Sequence, residues 1–203
     1  MNDKVILTDC DGVIVDWEYG FEQFMNGHGY EKVKSDSYDL REQYGFNDTE
    51  TFGRFKETEK RIFARWFNES TAVEYLPPFR DAINYIKKLH EEQGYVFHVI
   101  TSLSKEPGAW HARMRNLQKL FGPTAIEKLV CLDTGADKDE ALEEYRDSGC
   151  LWVEDKPSNA ALGAKLGLDT ILMDHIHNRS FVHENIKRVK TWKEIYEYVV
   201  WGS

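Results

Sequence analysis

Long hydrophobic runs are missing from this 203-residue chain. None approaches the roughly 20 apolar residues that a membrane-spanning helix requires, so no membrane span is expected. Basic charge is also scarce: 26 Lys and Arg face 35 Asp and Glu, for a formal charge of −9. A nonspecific nucleic-acid binder advertises a basic surface, so a long polyanion is not an expected partner. A small anion stays open, because its site needs only a few placed cations or a metal. There are three cysteines, Cys10, Cys131 and Cys150, an odd number at wide spacing and each in or beside an apolar run. That pattern reads as reduced thiols and a cytoplasmic setting rather than a disulfide framework. The start, MNDKVILTD, turns acidic at its third residue and does not read as a signal peptide. Internal repeats and low-complexity tracts are lacking, and a composition 41% hydrophobic and 30% charged is that of a globular chain.

Short apolar runs recur, with helical stretches between them. Five read as buried strands: Val5–Leu7, Tyr95–Ile100, Leu129–Leu132, Leu151–Val153 and Thr170–Met173. Phe79, Ile83, Ile86 and Leu89 form an apolar helical stripe between Pro77-Pro78 and Gly94. Further helices are expected over Trp110–Phe121, Ser158–Leu166 and Trp192–Val200. Strand–helix alternation predicts an α/β fold, an open parallel Rossmann-like sheet with helices on both faces. Ligands then bind outside the carboxyl ends of the strands.

One stretch resists that pattern. Between Asp16 and Leu76 no buried strand is evident, and aromatic and charged residues abound. Such a length is too great for a loop in a compact domain. It is expected to be a helical cap, residues 16–76, inserted into a core of residues 1–15 and 77–203.

What stands at each strand end is informative. Asp9 and Asp11 follow the first strand, Thr101 and Ser102 the second, Lys138 lies beyond the third, and Glu154-Asp155 follow the fourth. The sheet reading converges these on one rim. Clustered carboxylates raise one another's pKa unless a cation joins them, and Mg²⁺ with oxygen ligands is the usual solution beside phosphate. Hydroxyls and a lysine would hold phosphoryl oxygens, and a carboxylate can itself attack phosphorus. Singly, each cluster is ordinary: an Asp-x-Asp is usually a turn or cap, Thr-Ser a cap, Lys138 a surface lysine, Glu154-Asp155 a helix start. Their joint order argues for one phosphoryl-transfer site.

Asp9-Cys10-Asp11-Gly12-Val13, Thr101, Lys138 and Glu154-Asp155 resemble the four motifs of the haloacid dehalogenase superfamily of phosphohydrolases. Asp9 to Trp17, Ile100-Thr101-Ser102 with Lys105, Leu120 to Pro123, Val153 to Lys156, His177-Asn178-Arg179, and Trp192 with Glu194-Ile195 are further similar to the 5'(3')-deoxyribonucleotidase family, which has a helical cap after the first motif. Motif four departs from that family in reading Glu154-Asp155 in place of two aspartates. The resemblance implies a Mg²⁺-dependent phosphomonoesterase acting on deoxyribonucleoside monophosphates through an aspartyl-phosphate. It implies Asp9 as nucleophile and Asp11 as general acid and base. Thr101, Ser102, Lys105 and Lys138 would bind phosphate. Asp9, the Asp11 carbonyl and Asp155 would bind Mg²⁺, with Glu154 acting through a water, and Trp17 would lie near the substrate or pack the cap hinge. A sugar phosphate and a nucleic-acid 3'-phosphate end are the alternative substrates. A phospho-accepting receiver domain is disfavoured, because its acid follows a central strand of the sequence and it has no such insertion. The oligomeric state is left open.

Other residues are expected to be structural. Cys10 has no nearby histidine to make it a nucleophile. His175 and His177 would share one side, but a transition-metal site needs a third ligand and none is near in sequence, so capping or packing is expected. His98 is expected to be a satisfied core histidine, and Lys56–Arg65 a solvated cap helix.

Overall fold

The computed structural model describes residues 4–33, 43–44 and 62–202. Its centre is a six-stranded, all-parallel sheet in the order β3-β2-β1-β4-β5-β6. The strands are β1 (Val5–Thr8), β2 (Val96–Thr101), β3 (Ile126–Cys131), β4 (Leu151–Glu154), β5 (Asp169–Met173) and β6 (Ile186–Val189). The first five match the expected runs. The sixth, Ile-Lys-Arg-Val, was not foreseen, because an edge strand with two cations gives no apolar run. β1 lies between β2 and β4, with Leu7 opposite both His98 and Trp152. The chain order reverses there, which makes the β1/β4 junction the crevice where sheets of this order bind ligands.

Among the described residues the helices are α1 (Trp17–Gly27), α2 (Ile62–Asn68), α3 (Ala82–Glu91), α4 (Pro107–Phe121), α5 (Asp139–Glu143), α6 (Pro157–Lys165) and α7 (Trp192–Trp201). Alternation along the strands feeds two cores. Ile6, Phe97, Val99, Val153 and Ile171 bury one face against α3, α4 and α7. Leu7, Ile100 and Trp152 bury the other against Leu142 and Tyr145 beside α5 and Leu166 after α6. Helices therefore cover both faces, as expected. Phe79 departs from its expected place: α3 begins only at Ala82, and Phe79 sits before it, buried and stacked on His175 at 4.9 Å.

After β1 the chain makes a tight turn. Cys10 O accepts from both Ile14 N and Val15 N, and Gly12 N donates to Val15 O. Gly12 has φ +76°, a left-handed conformation that glycine adopts without steric cost. Outgoing and returning chain then meet: Asp16 N donates to Pro77 O and Phe79 N to Ile14 O. Between those points, α1 begins with the Asp16 side chain accepting from Tyr19 N. A Cβ on Gly20 would lie 1.9 Å from Leu76 Cδ2, so a larger residue there would make the Leu76 side chain shift where α1 meets the returning chain. Phe21, Met25, Phe63 and Phe67 bury their rings and chains together between α1 and α2. Of the expected cap, residues 34–42 and 45–61 lie outside the described residues, as does the Lys56–Arg61 part of the expected cap helix.

Candidate active site

Asp9 is the first residue beyond β1, and its N–H still donates to Val153 O at 2.8 Å, so the strand ladder fixes its backbone. Its Oδ1 accepts from Cys10 N at 2.7 Å and pairs with Lys138 Nζ at 2.8 Å. Lys138 opens α5 and is 1% exposed, and the same Nζ donates to Glu154 Oε2 at 2.8 Å. One buried cation thus joins the ends of β1 and β4. Burial alone would lower the Lys138 pKa, but Asp9 and Glu154 together raise it above its ordinary value.

Glu154 and Asp155 divide their work. Glu154 Oε1 accepts from Asp155 N and Lys156 N, and Oε2 from Lys138 Nζ and Asn159 Nδ2. Those four donors use the roughly four acceptor positions a carboxylate offers. Glu154 is therefore a positioning acid for Lys138, with no oxygen lone pair to spare. Burial would raise its pKa, yet Lys138 and the backbone donors hold it below the ordinary value. Asp155 is half-buried, and burial with the Glu154 charge raises its pKa despite a hydrogen bond from His177.

Asp9 is raised well above the usual carboxylate range by burial and then by Glu154, Asp155 and Asp11, against the pull of Lys138. Carboxylate oxygens of Asp9, Glu154 and Asp155 lie within 4.8 Å of one another, and with those of Glu154 already filled, Asp9 and Asp155 are the two left to meet a cation. An all-oxygen, acid-rich set whose carboxylates oppose one another's ionisation suits a hard divalent cation such as Mg²⁺.

Asp11 is placed by a residue that sequence reading missed. Arg113, on α4 and fully buried, donates to Asp11 Oδ1 at 2.6 Å and contacts Cys10 Sγ at 3.2 Å. Thr101, at the end of β2 and buried, donates to Asp11 Oδ2 at 3.4 Å. Ser102 donates its hydroxyl to Ala136 O at 2.8 Å, which ties the β2 end to the loop before Lys138. Lys105 is exposed on the segment before α4, and its charge adds to the Arg65 hydrogen bond that chiefly lowers the Asp133 pKa. Cys10 is fully buried, and burial pushes its thiol well above the ordinary value, so it is not a poised nucleophile.

A cavity of about 650 Å³ opens over this rim, lined among others by Asp11, Trp17, Arg80, Asp155, His175 and Arg179. Trp17 stacks on Phe21 at 4.7 Å and donates its Nε1 to Asn68 Oδ1, so part of its ring is packed within the cap side while part lines the cavity. Asn68 in turn donates to Leu103 O, linking α2 to the loop after β2. His98, half-buried, has both ring nitrogens at partners, Tyr145 Oη and Glu127 Oε2.

No family model matches the chain. A structure of a haloacid dehalogenase-like family hydrolase from Streptococcus pneumoniae superposes with a TM-score of 0.64 and 13% identity, covering 98% of this chain and all of that one. A putative phosphatase from Clostridium difficile gives 0.63 and 16%, covering 97% and 99%. D,D-heptose 1,7-bisphosphate phosphatase from B. bronchiseptica, solved with magnesium and phosphate, gives 0.58 and 11%, covering 98% and 99%. The fold is that of haloacid dehalogenase-like hydrolases. Among curated sequences, an uncharacterized 32.4 kDa protein of Enterobacteria phage T4 is 26% identical over 198 residues, spanning 94% of this chain and 67% of that protein.

Proposed function

We propose that this chain is a Mg²⁺-dependent phosphomonoesterase that hydrolyses a small phosphorylated metabolite, with deoxyribonucleoside monophosphates as the preferred class. The observation that carries the reading is Lys138 bridging Asp9 and Glu154 at the β1/β4 crevice, beside Asp155 and opposite Asp11. Phosphatases among the structures of like fold support the reaction class. In this reading residues 16–76 are the cap and the rest is the core. Three free cysteines fit a reducing, cytoplasmic setting. No helix of the described residues is long and apolar enough to cross a membrane.

Asp9 attacks the phosphorus, and the bond to the leaving oxygen breaks with its electron pair. Asp11 gives that oxygen a proton. Water then attacks the aspartyl-phosphate, passing a proton to Asp11, and Asp9 leaves as a carboxylate. Lys138 and Thr101, with Lys105 farther out, hold and neutralise the phosphoryl group, while Ser102, its hydroxyl donated to Ala136 O, ties the β2 end to the loop before Lys138. Asp9, Asp155 and the Asp11 carbonyl would hold Mg²⁺, which when bound neutralises charge shared by these acids and the phosphoryl oxygens. Arg113 and Glu154 act one step back, fixing Asp11 and Lys138.

A sugar phosphate is the second reading. It is favoured by the engagement of Trp17 with Phe21, which occupies part of the ring that would stack on a base. Phosphate release across nucleotides and sugar phosphates, with Mg²⁺ and with EDTA, separates the two. The expected outcome is Mg²⁺-dependent turnover, highest on a deoxynucleotide. Highest turnover on a sugar phosphate selects the second reading, and no release from any monophosphate, or full turnover in excess EDTA, defeats both.

A further inference from the structure

α2 belongs to the proposed cap, yet its last turn is fastened to the core loops that follow β2 and β3. Arg65 Nη2 pairs with Asp133 Oδ1 at 2.5 Å, and Ser104 Oγ donates to Glu69 Oε1 at 2.9 Å. Arg65 and Asp133 are both exposed, and an exposed ion pair holds little by itself. Asn68 is different. It is 3% exposed, and both ends of its amide are bonded.

Asn68 Oδ1 accepts from Trp17 Nε1 at 2.8 Å, and its Nδ2 donates to Leu103 O at 2.9 Å and to Thr134 Oγ1 at 3.5 Å. Thr134 Oγ1 also donates to Leu103 O, which closes the cluster. Leu103 lies two residues past Thr101, and Thr134 four residues before Lys138. The indole N–H can only donate and the Leu103 carbonyl can only accept, so one orientation of the amide satisfies both. Turning it would leave buried polar groups unpaired. Trp17 in turn lines the cavity, while its ring stacks on Phe21 and meets Phe67 edge-on at 5.4 Å. A stack fixes the plane of a ring but lets it slide within that plane. The bond from Nε1 fixes where in the plane the indole sits. One buried amide thus joins the ring at the cavity wall to the loops that carry Thr101 and lead to Lys138.

We propose that Asn68 is a positioning residue that sets the Trp17 ring in register with the phosphate-binding loops, and so decides how well the organic part of the substrate is seated. The role rests on the phosphatase reading above. Thr101 and Lys138 hold the phosphoryl group, so the rest of the ester reaches into the cavity from a fixed point. A ring that favours one leaving group over another must keep its place relative to that point. Asn68 supplies that constraint through Trp17 rather than by touching the substrate.

The kinetic test compares kcat/KM for the monophosphate that the wild type hydrolyses best with kcat/KM for phenyl phosphate. Asn68→Leu, similar in size but without polar atoms, should lower that ratio about tenfold, within the one to two powers of ten that removing a stacking ring costs. In Trp17→Ala/Asn68→Leu the ratio should equal that of Trp17→Ala alone, because Asn68 acts through the ring. A merely structural role would lower both substrates together and leave the ratio unchanged, which would overturn the proposal. A further fall in the double variant would overturn it too. Should Asn68→Leu fail to fold, Asn68→Ser, too short to reach the indole, takes its place with the same outcomes. A second measurement needs no turnover. The indole N–H signal of Trp17 in ¹⁵N-labelled protein, assigned by its absence in Trp17→Phe, should shift in Thr134→Val, which alters the loop side of the cluster. An unmoved signal overturns the proposal whether or not any monophosphate is hydrolysed. Absence of hydrolysis with a shifted signal defeats the phosphatase reading and leaves the coupling of Trp17 to the loops established.

Discussion

Arg113 and Asp11 form an ion pair at 2.6 Å between a fully buried guanidinium on α4 and a carboxylate beyond β1. The pair fixes the rotamer of the residue proposed to move protons, and it makes the two aspartates of the first motif opposite in their effect on stability. Asp11→Asn leaves a buried arginine without its counter-charge, which should cost about 3–5 kcal/mol. Asp9→Asn removes a carboxylate that burial, Glu154 and Asp155 already disfavour in charged form, and Lys138 keeps Glu154. In metal-free protein it should cost under about 1 kcal/mol or stabilise, while abolishing turnover. Urea unfolding of both variants in EDTA checks this, and a larger loss in Asp9→Asn would refute it.

Lys138 neutralises two buried acids, so Lys138→Met should cost about 3–5 kcal/mol and all detectable turnover. Lys138→Met/Glu154→Gln removes one of the orphaned charges. It should recover part of the lost stability and none of the activity. The double variant proving less stable than the single one would show that Glu154 holds its neighbours by other means.

Glu74, in the 3-10 turn Thr71–Tyr75, pairs with Arg115 and Lys119 of α4 at 2.7 and 2.6 Å. Hydrogen bonds from Arg115 and then Lys119 lower its pKa from 4.5 to about 2. A depressed carboxylate pKa stabilises the fold above the ordinary value, and that stability is lost as pH falls from there toward the folded value. The Tm difference between wild type and Glu74→Gln should therefore be positive at pH 6 and shrink toward zero near pH 2. A difference that stays constant across that range would show that the pair contributes nothing through charge.

Trp17 tests the cap. Trp17→Ala should lower kcat/KM for a nucleotide relative to a small aryl phosphate by about one to two powers of ten, since stacking on a base is worth roughly 1–3 kcal/mol. The comparison of the two substrates within each protein cancels any loss of folded enzyme. An unchanged ratio would assign Trp17 wholly to its stack on Phe21.

The strands that carry the site were legible because each is an apolar run buried on both faces and ended by polar residues. Asp9, Glu154 and Asp155 stand at those strand ends and Lys138 in the loop beyond the third strand, their joint order pointed to one site, and the structure brings them together. β6 was not legible, since Lys187 and Arg188 break its apolar pattern at the sheet edge. Arg113 was hidden for another reason. It shares α4 with Arg115, and nothing local says that one turns inward to Asp11 while the other turns outward to Glu74. The capping and packing expected of His175 are both found, since its side chain accepts from Asn178 N and its ring stacks on Phe79.

β1 precedes the other five strands of the sheet in the chain, yet its two neighbours are β2 and β4. At about 5–20 residues per second, β1 waits roughly seven to thirty seconds for β4 to be synthesised. Throughout that interval the nascent chain has Asp9 but neither Glu154 nor Asp155, and the strand presents two unpaired edges until β2 is made and one thereafter. Parallel pairing across so long a separation is intrinsically slow. A ribosome-held chain truncated before Leu151 therefore lacks Glu154 and Asp155 and leaves an edge of β1 open, so the candidate site can assemble only when the sheet closes around that strand.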